Sequence, residues 1–188
     1  SAAIGGNSAT ASGSWSAAIG GYSATASGSY SAAIGGYSAT ASGSYSAVLG
    51  GSYCTANVIG KIVCGTGKNN GAGANQTGIT TLVVNTTNAT ETTLTSDGGS
   101  AATANQLVLS NYSSMTVTGR IIAQRKGSES ASSTASWTFV AHIARGNNAA
   151  STALIAAVTP TLIAASADAT AWTVAVTADT TNGTLKVT

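Results

Sequence analysis

The chain has 188 residues, of which 43% are hydrophobic and only 6% charged, with seven basic and five acidic side chains and a net charge of +2. An ordinary globular protein is about a quarter charged, so the polar surface here must be built from Ser, Thr and Asn. Lys61, Lys68, Arg120, Arg125, Lys126, Arg145 and Lys186 are scattered and form no basic stripe, which excludes a nucleic-acid binder. Disorder is excluded by the abundance and periodicity of the apolar residues. The most apolar run, residues 152–165, is short and holds Pro160, and no stretch reads as a secretory signal, so no membrane insertion is expected.

Residues 1–51 carry a tandem repeat of period fifteen. Residues 1–15 read SAAIGGNSATASGSW and residues 16–30 read SAAIGGYSATASGSY, while residues 31–45 repeat the second copy without change. A fourth copy opens at Ser46 as SAVLGG and decays into SYCTANVIG. The array begins at Ser1 without a capping sequence, and the expectation is that it continues upstream.

Within a unit the apolar residues alternate with period two, the signature of strands. Ala2 and Ile4 share one face before the Gly5-Gly6 corner, and Ala9 and Ala11 share a face opposite Thr10, Ser12 and Ser14. Three glycines and many serines per unit rule out a helix. Each unit is therefore expected to be one coil of a parallel β-roll, with two short strands and two turns. Equivalent positions then form ladders at the inter-strand spacing of roughly 4.7–4.9 Å. Ile4, Ile19, Ile34 and Leu49 are expected inside, with Trp15, Tyr30 and Tyr45 in a second ladder and Asn7, Tyr22, Tyr37 and Ser52 in a third. One large apolar side chain per coil is a thin core against the entropy of ordering the backbone. A second face must then be buried between copies, and a homotrimer is the expected assembly.

Domain boundaries follow from composition: a roll over residues 1–64, a Gly/Asn-rich neck over 65–78 and a distal domain over 79–188. Residues 57–64, NVIGKIVC, are expected to close the roll as a strand. The neck contains G-T-G-K, but Asn69 follows Lys68, so the phosphate-loop spacing is absent. Cys54 and Cys64 could bridge in an oxidising compartment, whereas a reducing cytosol would leave two buried thiols. Two cysteines and the distant His142 do not make a zinc ligand set.

From residue 79 the segments ITTLVVNT, ETTLTS, QLVLS, SMTVTGRIIAQ, ASWTFVAHIAR, TLIAAS, AWTVAVTA and GTLKVT read as strands between turn clusters such as SDGGS at 96–100. That spacing predicts an antiparallel β-sandwich, jelly-roll-like. Trp137, Phe139, Ala141 and Ile143 share the expected core face, with Val140 and His142 on the other. The alanine-rich residues 149–167 could be helical on propensity, but Pro160 and the β-branched residues favour two strands and a turn.

No catalytic constellation emerges. Asp97 sits in a D-G-G turn, Glu129 in a serine-rich loop, Asp168 and Asp179 in turns, and Glu91 heads a strand. His142 has no G-x-S-x-G elbow to serve. Asn88-Ala-Thr and Asn111-Tyr-Ser are the sequons a Ser/Thr/Asn-rich chain produces. The aromatic ladders have two readings, a stacking platform for sugars or a brace for the roll itself.

The S-A-A-I-G-G-Y-S-A-T-A-S-G-S-Y units resemble the head repeats of trimeric autotransporter adhesins (YadA-like), and more closely the form of that repeat in bacteriophage tail fibres. The segments NQLVLSNYSSMTVTGRIIAQRK, ASWTFVAHIARG and AWTVAVTADTTNGTLKVT are similar to a distal domain of such fibres. The resemblance implies a trimeric, left-handed parallel β-roll and a distal β-rich domain in a non-enzymatic virion fibre. Other virion or tail proteins and a host surface glycan or protein are the implied partners. It carries over no receptor-binding, metal or cofactor residue. Alternatives are a bacterial trimeric adhesin head at the cell surface, a capsid decoration or head fibre, and a glycan hydrolase.

Overall fold

The computed structural model describes residues 1–66, 76–86, 90–125 and 133–188. Outside them lie most of the neck with Lys68, the Asn88 sequon, Lys126 and Glu129.

The chain is all-β, beginning with a parallel solenoid of about four turns. One sheet of it stacks β1 (Ala2–Ile4), β3 (Ala17–Ile19), β5 (Ala32–Ile34), β7 (Ala47–Leu49) and β9 (Ile62–Gly65). The other stacks β2 (Thr10–Ala11), β4 (Thr25–Ala26), β6 (Thr40–Ala41) and β8 (Thr55–Ala56). Pairing is parallel with partners one repeat apart, as in Ala2↔Ala17 and Thr10↔Thr25. The fourth coil, degenerate in sequence, stacks in the same register through Ala32↔Ala47 and Thr40↔Thr55.

Two glycine columns set how closely the coils approach. A methyl group on Gly21 would collide with the Gly36 carbonyl oxygen of the next coil, and one on Gly28 with that of Gly43. The second column ends at Val58, where this face of the roll turns to the distal half and the Ile59 N–H donates to the Ala104 carbonyl at 2.9 Å.

The expected phase of the first strand is reversed. Ala18, Ala33, Val48 and Val63 are buried, whereas Ile4, Ile19, Ile34 and Leu49 face outward and are 57%, 39%, 41% and 54% exposed. The reason is width. A fifteen-residue coil with tight corners brings its two sheets close, and Ala24, Ala26, Ala39 and Ala41 project from the second sheet into the same space. Methyl-sized groups and Val fill it, and an Ile side chain would overpack it. The buried serines Ser16 and Ser31 lose no hydrogen bonding, since their hydroxyls donate to the Gly13 and Gly28 carbonyls at 2.7 Å.

The roll closes differently from expectation as well. The closing strand is β9, with residues 57–61 forming its corner, and part of the neck is the strand β10 (Gln76–Ile79), antiparallel to β9. Gln76 also finishes the second sheet. The Thr55 N–H donates to its Oε1 at 2.8 Å, and its Nε2 donates to the Thr55 carbonyl at 3.0 Å. The carboxamide thereby replaces the peptide group a further coil would bring. Gln76→Ala should destabilise the roll by about 1–2 kcal/mol, two ordinary hydrogen bonds, while Gln76→Glu keeps the acceptor and loses the donor. Denaturant midpoints of both variants check this ordering.

The distal half comprises β11 (Leu107–Val108), β12 (Ser113–Gln124), β13 (Thr134–Arg145), β14 (Ala153–Leu154), β15 (Thr161–Ala165), β16 (Val176–Asp179) and β17 (Thr184–Val187). They form two antiparallel sheets, β11-β17-β16 and β12-β13 with β14 and β15 both on the far side of β13. One core joins them: Trp137, Phe139, Ala141 and Ile143 from β13 meet Val176, Leu185 and Val187 from the other sheet. Val140 and His142 face outward, as expected. Residues 149–167 do form two strands around Pro160, preceded by a 3-10 turn at Ala149–Ser151. Residues 79–86 and 91–96 do not become strands beyond the end of β10 and hold a single bridge, Val83↔Thr95. Beyond that bridge the Leu94 N–H donates to the Val187 carbonyl at 2.8 Å, and the β propensity of these residues yields to tertiary context.

Candidate functional surface

The described aspartates are engaged by nearby hydrogen-bond donors. Asp97 Oδ1 accepts from the Gly99 N–H at 3.0 Å and from Asn105 Nδ2 at 2.8 Å. Asp168 accepts from the Ser133 and Ser166 hydroxyls, and Asp179 accepts from the Thr181 and Asn182 N–H groups and from Asn182 Nδ2. Glu91 pairs with Lys186 at 3.4 Å on an exposed surface. The Gly99 N–H holds the Asp97 carboxyl below its usual value, and the Ser133 hydroxyl does the same for Asp168. Burial pushes Asp179 upward, but the Asn182 and Thr181 donors outweigh it and leave its pKa lowered. Among the described residues no three His, Cys, Asp or Glu side chains come together to hold a metal ion.

Acid should therefore loosen the distal half. A carboxylate whose folded pKa is depressed contributes stability above its unfolded value and loses it as the pH falls through the folded one. The window for Asp97, Asp168 and Asp179 opens below about pH 4. Thermal melts from about pH 6 to about pH 2 should show the near-ultraviolet signal of Trp137 failing progressively below that value. A melting temperature unchanged to the lowest pH would contradict the assignment.

Both cysteines are free. Cys54 is inside the roll, its Sγ 3.4 Å from the Gly65 carbonyl oxygen, and burial raises its thiol pKa. Cys64 is exposed, contrary to the expectation of two buried thiols. Alternation along β9 explains the difference, with Val63 inward and Ile62 and Cys64 outward.

What the roll presents to its surroundings is aromatic and apolar. Tyr22 and Tyr37 stack with ring centroids 5.0 Å apart and 5° between planes, and Tyr53 meets Tyr37 edge-on at 5.2 Å. Tyr30 and Tyr45 stack at 5.0 Å and 1°. A hydrogen bond with Tyr53 raises the Tyr37 phenol pKa. Because the rings cover each other's faces, a sugar cannot stack between them, which favours the bracing role. Trp15, Tyr30 and Tyr45 also hold left-handed backbone at φ 56°, 55° and 58°, whereas the same corner of the fourth coil is Gly60 at φ 70°. A bulky residue in that region is strained. The aromatic is kept where a neighbouring ring can stack and gives way to glycine where the array ends.

No family model, curated protein or solved structure matches the chain.

The outward face of the first sheet is an exposed apolar surface. It carries two columns, Ala2, Ala17, Ala32, Ala47 and Ile62 beside Ile4, Ile19, Ile34, Leu49 and Cys64. No charged side chain occurs before Lys61. A flat, apolar, charge-free face of this kind marks an interaction surface. Sequence reasoning found its residues but assigned the Ile column to the interior. Residue size did not separate the two, since Ala recurs at both the first and the middle position of AAI in three coils.

Proposed function

We infer that the chain is a structural, non-enzymatic fibre protein of a bacteriophage virion, a homotrimeric spacer in the tail fibre with a host-attachment role carried by its distal half. The observation that carries this reading is the outward Ile4–Ile19–Ile34–Leu49 column on a roll whose own core is made of alanine and valine. Such a roll gains little from internal burial and gains more when the columns of several copies meet. The fifteen-residue repeat and its resemblance to fibre and adhesin heads support three copies. The engagement of Asp97, Asp168 and Asp179 by structural hydrogen-bond donors supports a non-catalytic role. The finer reading of the distal half is a jelly-roll-like sandwich whose exposed loops meet a glycan or protein of the host surface.

Light scattering on the purified chain tests the assembly. The expected mass is three times 18.1 kDa. A folded single chain would sink the trimer and the fibre with it.

A further inference from the structure

β12 is the edge of its sheet for twelve residues, paired on one side with β13 from Ser113↔Arg145 to Gln124↔Thr134. Among the described residues no backbone hydrogen bond reaches its other side. In an antiparallel ladder alternate residues turn their N–H and C=O away from the partner, so this side is a row of open donors and acceptors. Proteins blunt such edges with proline, bulges or lysine. β12 has none of these, and its one charge is Arg120. Its core-side residues Met115 and Val117 are only half-buried.

The far side of the same sheet has the matching defect. β15 pairs with β13 alone, and all but the last of its residues are exposed. Leu162 pairs with Trp137 and so lies on the core side, yet it is 47% exposed, and Ile163 is 52% exposed. Each copy therefore has two incomplete edges, one long and one short, both ending in half-covered apolar side chains.

We propose that β12 of one copy pairs with β15 of a second copy, so that the distal sheets join edge to edge. Leu162 of one chain then completes the core beside Met115 and Val117 of the next. The contact uses different surfaces on the two partners, and such a contact closes into a ring of three when each step turns by one third of a circle. Pairing β12 with β12 would be two-fold and could not serve three equivalent copies. The proposal rests on the trimeric reading and adds to it the surface through which the distal halves assemble.

The test uses the full chain with a photoreactive phenylalanine analogue in place of Thr118, which is exposed beside that edge. Chains with and without heavy nitrogen are mixed by refolding, irradiated and digested. The expected result is a product of twice 18.1 kDa whose cross-linked peptide contains Thr161–Ala165 of the other isotope. A cross-link within one chain, to another region, or none at all overturns the proposal. Amide exchange on the unsubstituted chain gives an independent readout. Protection by about 100-fold or more over an open edge is expected at the two or three outward-turned amides that a five-residue strand can cover around Met115–Thr118, and fast exchange at every alternate residue of β12 overturns it. A trimeric mass with an open β12 edge would remove this inference alone, whereas a monomeric mass would remove the functional reading too.

Discussion

Gly21→Ala is expected to destabilise the roll by about 2–5 kcal/mol, because it meets two penalties at once. The residue holds φ at 81°, where an L side chain is strained by about 1–2 kcal/mol. Its new methyl would also strike the Gly36 carbonyl of the next coil, and overpacking adds about 1–3 kcal/mol. Two neighbours separate these causes. Gly20 has φ at 67° but nothing within 4 Å of an added Cβ, so Gly20→Ala should show only the backbone penalty. Gly28 has ordinary φ but the same steric block against Gly43, so Gly28→Ala should show only the packing penalty. Denaturant unfolding should rank the three with Gly21→Ala worst. Equal losses at Gly20 and Gly21 would mean that the coils are not stacked as closely as their hydrogen bonds require.

The double substitution Ile19→Asp and Ile34→Asp should abolish assembly. In a single chain both side chains face solvent, so the change would leave the coil interior of Ala18, Ala33 and Ala41 untouched. In a trimer it would place two carboxylates per chain in an apolar interface, and each unpaired buried charge costs several kcal/mol. The light-scattering mass should drop to 18.1 kDa, with a loss of roll stability because its thin core is then alone. Ser27→Asp supplies the control, since that exposed side chain leaves from the other sheet. A double variant that assembles as the unsubstituted chain does would place the interface elsewhere.

Much of this architecture could be read from residue spacing. Identical units fifteen residues apart can stack in only one register, so the ladders and the parallel pairing followed directly. The core face of β13 was legible for a similar reason, since Trp137, Phe139, Ala141 and Ile143 alternate with mostly polar neighbours. Legibility failed where both phases were apolar. In Ala17-Ala18-Ile19 either face could be buried, and the deciding quantity, the gap between two sheets, is a property of the closed coil. Gln76 left no trace because one carboxamide imitating a peptide group has no periodic signature. The left-handed backbone of Tyr30 and Tyr45 was hidden as well, since aromatic residues ordinarily argue for extended strands.

The absence of any charged side chain before Lys61 has an environmental consequence. Salt acts on proteins chiefly by screening charges, and acid acts by titrating carboxylates and histidine. The first sixty residues offer neither a handle. Moderate salt and acid therefore have few charged groups to act on in the roll, and charge-based responses to the medium concentrate in the half it carries.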